Sequence, residues 1–376
     1  MVANIPESLK PAFERKAHPY LVWDALLSTP QALEDVFTPQ SQEAIRRAAE
    51  AMKDRAPIHL VGCGTSYFSA IAATFVFHSV SSCLAWPYNA FEFWVYPPPS
   101  LERSTLVAIS HTGSTPAVIR AAELARERGA CTVGLTDDMT SPLARSVDYA
   151  ICGSLGREPA LPKTRSYAAA LLRHYLLALE LAKGKGKDIK QFRDVLLQSP
   201  RIVQEVLQST EPQIKGLAQG PLPTNRIVVV GGGPQVATAN EGALKLIEMA
   251  EVDADAWELE EAVHGTWAST TKGDWVIVLA MKGPSFVACE RLVAGMKAID
   301  VDVWAITNEP DGVKGADHVT YLPGGIPELF MPLFAILPLY QFAYHLALAR
   351  AIHPDIMRLD DPRYLEARMI MRQTSK

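Results

Sequence analysis

The chain reads as an α/β protein of two tandem domains, each a doubly wound, flavodoxin-like unit around a parallel central sheet. Three observations predict this. Short β-branched apolar runs alternate with longer helical patterns, as parallel strands joined by crossover helices do. A glycine-rich turn follows the first strand of each half, VGCGTS (61–66) and VGGGPQ (230–235). Strand, glycine turn and helix recur about 170 residues apart, so one plan is used twice.

The elements follow in order. Residues 1–50 read as helices flanking the first domain, which spans 51–183. Its strands are IHLV (58–61), STLVAIS (104–110), CTVGLTD (131–137) and VDYAIC (147–152). Its helices are SYFSAIAATFVFHSV (66–80) and PAVIRAAELARERG (116–129), the latter stopped by Gly129 as a helix C-cap. A helical stretch at 164–183 leads into linker helices at 184–222. The second domain, 223–340, has strands RIVVVGGG (226–233), DWVIVLA (274–280), VDVWAI (301–306) and HVTYL (318–322). Its helices are 236–251 and 285–299, and a C-terminal helix and tail occupy 341–376. The apolar segment 329–350 contains two prolines, a glutamine and a histidine, and reads as a buried helix between domains rather than a membrane span.

Composition narrows the function classes. The 376 residues are 48% hydrophobic, enough for a large core. A net charge of −5 and the lack of any lysine/arginine run exclude nucleic acid and anionic membranes as expected partners. The five cysteines (Cys63, Cys83, Cys131, Cys152, Cys289) form no CxxC, and MVANIPESLKPAFERK has no apolar signal core. A reducing cytoplasm is the expected compartment.

Two loops at strand ends carry anion-binding chemistry. In VGCGTSYF, Gly62 and Gly64 let the backbone turn and aim amide groups at an anion, with Thr65 and Ser66 opening the helix. An N-cap role for Thr65 or Ser66 is the plainer alternative. No Gly-Lys-Ser/Thr follows, and Tyr67 takes the last position of a GxGxxG, so neither nucleotide fingerprint is present. The second loop, Ser110-His111-Thr112-Gly113-Ser114-Thr115, offers several hydroxyls around a glycine, a neutral cup for phosphate. Two such loops at the carboxyl ends of one sheet are where open α/β folds bind ligands.

The segment EGALKLIEMAEVDADAWELEEAVHG (241–265) places Lys245 and Glu248 three apart on one helix face, with His264 in a following loop. One carboxylate can move a proton between adjacent carbons, and an imidazole can serve ring opening. A solvated ion pair and a structural histidine are the competing readings. Asp137-Asp138 lacks partners at metal-ligand spacing, GGGPQVATAN lacks paired hydroxyls, and Glu258, Glu260 and Glu261 read as an acidic turn. His345 and His353 read as structural.

GCGTS, SHTGST, EPALPKTRSY (158–167) and the Lys245-to-His264 interval together resemble the sugar isomerase (SIS) family, over residues 20–368. The closer resemblance is to the two-SIS isomerase module of glutamine–fructose-6-phosphate aminotransferases and to free-standing hexosamine-phosphate deaminases. It implies that Ser66, Ser110, His111, Thr112 and Thr115 hold a sugar phosphate, beside Gly64 and Thr65. It implies that Lys245 assists the open-chain sugar and that Glu248 moves the proton between C1 and C2. His264 would act in ring opening on the neighbouring subunit's substrate, in a homodimer. No metal or organic cofactor is expected.

Three departures qualify the carry-over. The chain starts MVANIP without Cys at position 2, so the expectation is that it does not take ammonia from glutamine by itself. In the tail DDPRYLEARMIM the family lysine is replaced: Ala367 falls at that register, with Arg368 beside it. Lys163 stands where a small residue is usual near the substrate, and is expected to meet an extra polar or anionic group. The expected activity is deamination of glucosamine 6-phosphate to fructose 6-phosphate and ammonia. The alternatives are a fructosamine-6-phosphate deglycase, an aldose–ketose isomerase and a non-catalytic phosphosugar-binding protein.

Overall fold

The computed structural model describes residues 10–153, 155–221 and 225–372. Helices α1 (Lys10–Glu14), α2 (Leu21–Leu27), α3 (Thr29–Val36) and α4 (Pro39–Met52) precede the first sheet. The first unit runs β1 (Ile58–Gly62), α5 (Thr65–Ser79), β2 (Ala85–Asn89), α6 (Ala90–Val95), β3 (Thr105–Ile109), α7 (Pro116–Glu127), β4 (Cys131–Thr136), α8 (Pro142–Ser146) and β5 (Tyr149–Cys152). Then come α9 (Arg165–Gly184), α10 (Lys190–Leu197) and α11 (Ser199–Gln219). The second unit runs β6 (Ile227–Gly231), α12 (Gln235–Ala250), β7 (Ala254–Glu258), α13 (Leu259–Val263), β8 (Trp275–Ala280), α14 (Phe286–Ala298), β9 (Asp302–Thr307) and β10 (His318–Tyr321). Helices α15 (Pro332–Ala349) and α16 (Pro362–Met371) close the described chain.

Both sheets have five strands, ordered β2-β1-β3-β4-β5 and β7-β6-β8-β9-β10, the same doubly wound order twice. Every strand pairing is parallel. The central strands β1, β3, β4, β6 and β8 are buried throughout because helices cover both faces. Each fully buried Val, Ile or Leu in them contributes roughly 1.5–3 kcal/mol.

The expected strands and helices form, and two further strands join them. β2 (AWPYN) and β7 (ADAWE) are partly exposed, and each pairs with a neighbour on one side only. Proline and acidic residues are tolerated there because an edge strand needs fewer ladder bonds and one covered face. Two expected boundaries fall inside helices: α4 runs through residue 50, and α15 runs unbroken through residue 340. α15 is long and apolar enough to cross a membrane by length and composition, yet it is buried against α11 and α12. α5 and α12, the helices that follow the two glycine turns, pack on each other. That contact carries the second unit's charged residues to the first unit's loops.

Candidate active site

The site begins where β1 gives way to α5. Gly64 adopts φ 53°, a left-handed conformation that suits glycine, and α5 starts without a side-chain cap. The loop after β3 is equally tight. Gly113 has φ +61°, and a Cβ there would lie 2.1 Å from Ser141 Oγ. Ser110, 2% exposed, shares a 2.9 Å hydrogen bond with Thr115 Oγ1. Thr112 and Ser114 hydroxyls lie 2.8 Å apart. α7 also lacks a side-chain cap, so no capping side chain offsets the positive N-terminal end of either helix.

α12 supplies the charged group. Lys245 is 0% exposed. Its Nζ donates to Glu248 Oε2 (2.6 Å) and to Thr65 Oγ1 (3.1 Å), and lies 3.3 Å from Glu241 Oε1. The solvated-pair reading therefore does not hold: the pair is enclosed and tied to the first unit's loop. Burial disfavours the Lys245 ammonium, but Glu241 and Glu248 outweigh it and hold its pKa above the usual lysine value. It is a fixed cation rather than a free amine. Glu248 keeps 14% side-chain exposure, enough to meet a ligand.

Glu241 was not singled out from sequence. It lies four residues before Lys245, and Tyr340 Oη donates to its Oε1 at 2.8 Å. Burial pushes its carboxyl up to about 7, with Lys245 opposing and Glu248 reinforcing the shift. The i, i+4 spacing to Lys245 was the available signal.

His111 departs from its expected role. Its Nδ1 lies 2.6 Å from Asp137 Oδ2, and its Nε2 accepts the Glu158 backbone N–H at 2.9 Å. Both ring nitrogens are occupied by protein, so the side chain does not join the hydroxyls as a phosphate ligand. Asp137 also lies 2.7 Å from Arg173 Nη1. Against the push of burial, Arg173 and His111 hold Asp137 well below the usual carboxylate range. This buried network braces the 158–166 segment against the β3 loop. Among the described residues no cluster of ligand types suits a metal ion.

Lys163 reaches the site from that segment. With Thr65, Ser66 and Ser166 it lines a cavity of about 30 Å³. Its Nζ donates to the carbonyls of Glu158 (3.0 Å) and Ala160 (2.5 Å). Arg368, on α16, is half-buried and electrostatically coupled to Glu248. Burial and Arg372 lower its pKa to about 10, with Glu248 opposing. The tail is fastened to the end of α12 by Arg358 Nε, 2.5 Å from Glu251 Oε2.

His264 stands apart. Its side chain is 66% exposed, and Nδ1 lies 2.9 Å from the Glu260 carbonyl. That bond and the Glu260 carboxylate hold its pKa above the usual value. Among the described residues no hydrogen bond or ion pair links it to Lys245 or Glu248. Glu258 caps α13, accepting from Glu260 N (2.7 Å) and Glu261 N (2.9 Å), so it shapes this loop. His345 packs edge-on against Trp23, and His353 Nε2 lies 2.8 Å from the Arg15 carbonyl, both structural as expected.

Known proteins share this fold. The SIS domain model matches residues 52–180 and 223–350. A glutamine–fructose-6-phosphate aminotransferase of Gloeobacter violaceus is 27% identical over 314 residues, covering 82% of this chain and 51% of that protein. The chain thus spans about half the length of such curated relatives. The C-terminal domain of a Francisella tularensis glucosamine-fructose-6-phosphate aminotransferase superposes with TM-score 0.83 at 19% identity, covering 90% of this chain and 99% of that one. A glucosamine-6-phosphate deaminase from Thermotoga maritima superposes with TM-score 0.67 at 24% identity, covering 86% and 96%. With both of its sheets matched, the chain belongs to the SIS-domain family and carries two copies of the domain.

Proposed function

We propose that the protein is an enzyme acting on a 6-phosphorylated amino sugar, converting glucosamine 6-phosphate to fructose 6-phosphate and ammonia. The observation that carries this reading is the enclosed Lys245–Glu248 pair bonded to Thr65, which joins a proton-transfer carboxylate to a hydroxyl-lined anion loop. Ser66, Ser110, Thr112 and Thr115 hold the phosphate, aided by the open N-termini of α5 and α7. The extended sugar then presents C1 and C2 to Glu248. After ring opening, Glu248 removes the C2 proton and returns it to C1. The nitrogen on C2 becomes an imine, water adds to C2, and the C–N bond breaks to release ammonia. Lys245 stabilises the negative charge that develops on the O1 side, and Arg368 adds a second positive group near Glu248.

His264 serves ring opening in a second copy of the chain. Its exposure and the absence of a link to Glu248 within one chain support that division. A fully active monomer at working concentration would remove this role. Purified protein supplied with glucosamine 6-phosphate should release ammonia and ketose phosphate in equal amounts. Glu248→Gln should lower turnover by about 10²–10⁴-fold while leaving sugar-phosphate binding within about threefold. Unchanged turnover in that variant rules out the mechanism.

The simple isomerase reading uses the same proton transfer without an amine. The deglycase reading is favoured by one specific feature, the cation at Lys163.

A further inference from the structure

The Lys245 ammonium has as many near partners as it has donors. Two are acids of its own helix, Glu248 Oε2 at 2.6 Å and Glu241 Oε1 at 3.3 Å. The third is Thr65 Oγ1 at 3.1 Å, 180 residues away along the chain. Among the described residues, Thr65 is the partner that comes from the first unit and the one that carries no charge. With Lys245 fully buried, that bond is a direct tie between the two units at the reacting group.

Thr65 also opens α5, with Ser66 as the next residue. The turn that holds both is tight. Ser66 N donates to the Cys63 carbonyl at 3.2 Å and Phe68 N to the Gly64 carbonyl at 2.9 Å. A Cβ at Gly64 would meet Leu244 Cδ2 at 4.0 Å, so the turn rests on α12 one residue from Lys245. Threonine is β-branched and its χ1 is restricted, so its hydroxyl follows its backbone. An anion seated on Ser66 and the N-terminus of α5 therefore fixes the Thr65 hydroxyl as well. Through that hydroxyl it fixes the ammonium that holds Glu248.

We propose that Thr65 is a positioning residue that couples occupancy of the phosphate loop to proton transfer by Glu248, acting through Lys245. The inference rests on the reading of Glu248 as the proton-transfer group. With a dianion in the loop, Thr65 is held in place, and Lys245 and Glu248 are set for the reacting carbon. Binding energy from the phosphate, remote from C1 and C2, is thereby spent on the chemical step. A sugar without phosphate is then deprotonated slowly even when it is bound.

The test cuts the substrate in two. Full-length protein is given glucosamine, which lacks the phosphate, in D₂O with or without saturating phosphite dianion. Proton NMR follows replacement of the C2 hydrogen by deuterium. Phosphite should speed exchange in the wild type by at least about tenfold, the scale of a hydrogen bond to a charged group. Thr65→Ser, which keeps the hydroxyl, should retain most of that activation, and Thr65→Val should bring the ratio close to one. Because each ratio is taken within one variant at saturating phosphite, partial loss of folded protein and weaker dianion binding both cancel. Glu248→Gln should show no exchange under either condition. Wild-type exchange in that variant would count against Glu248 as the base, whatever the Thr65 ratios show. No activation in the wild type, an undiminished ratio in Thr65→Val, or equal losses in Thr65→Ser and Thr65→Val would each overturn the coupling through the hydroxyl.

Discussion

The loops at the carboxyl ends of the two sheets occupy equivalent places and are filled differently. In the first unit, among the described residues, the side-chain hydroxyls of Ser110 and Thr115 pair with each other, as do those of Thr112 and Ser114, so a ligand can recruit them. In the second, the β8 loop is met by the chain's own acid: Ser285 Oγ donates to Glu328 Oε1 at 2.8 Å. Glu328 Oε2 sits so close over Gly283 that a Cβ there would be 2.2 Å away. The turns after β1 and β6 are alike in one respect: a Cβ would lie 2.7 Å from the Ser66 carbonyl carbon at Gly62 and 2.3 Å from the Gln235 carbonyl oxygen at Gly231. One copy of a duplicated fold is thus open to an anion, while the other has an internal carboxylate where an anion would approach. α12 of the closed copy carries the charged pair that bonds to Thr65 in the open one.

Three experiments press on this contrast. The largest effect is expected at Lys245, which ties the two units together. Lys245→Met leaves Glu241 and Glu248 as uncompensated carboxylates and should cost about 3–5 kcal/mol in denaturant unfolding. Adding Glu241→Gln should recover part of that loss; no recovery would mean that the acids are not coupled through the lysine.

A smaller effect separates the loops directly. On the proposed phosphate role, Ser110→Ala should raise KM for the sugar phosphate by roughly 10–100-fold, as loss of a hydrogen bond to a charged group implies. Ser285→Ala, in the second unit, should leave KM within about twofold. Similar KM changes in both would erase the distinction.

The smallest effect concerns Glu328. Burial raises its pKa above 4.5, with the Ser285 hydrogen bond opposing. A raised carboxyl contributes stability that is full below 4.5 and lost as pH climbs through the folded value. The wild type should therefore lose stability relative to Glu328→Gln as pH rises above 4.5, by about 1 kcal/mol or less at this partly exposed group. Thermal melts across pH 4–8 read the difference, and parallel curves would show that the carboxyl is not held in a costly place.

Much of this arrangement was legible in the sequence because buried parallel strands are continuous apolar runs. IVVV at 227–230 and VIVL at 276–279 can only be interior. β2 and β7 were hidden because an edge strand needs one covered face, which left room for Pro87 and Asp255. Lys245 and Glu248 were visible as a spaced pair, but their burial was not, because it depends on α5 packing against α12. His111 misled for a related reason. A histidine between hydroxyls looks available until Asp137 and the Glu158 N–H, 26 and 47 residues away, are brought to its two nitrogens.

On the proposed reading, Glu248 moves a proton between adjacent carbons of a phosphorylated amino sugar. Proton NMR in D₂O follows this step at the carbon itself. The wild type should replace the migrating hydrogen of the substrate with deuterium, and Glu248→Gln should bind the same sugar phosphate with no exchange above background. Exchange in the variant at the wild-type rate would contradict the account.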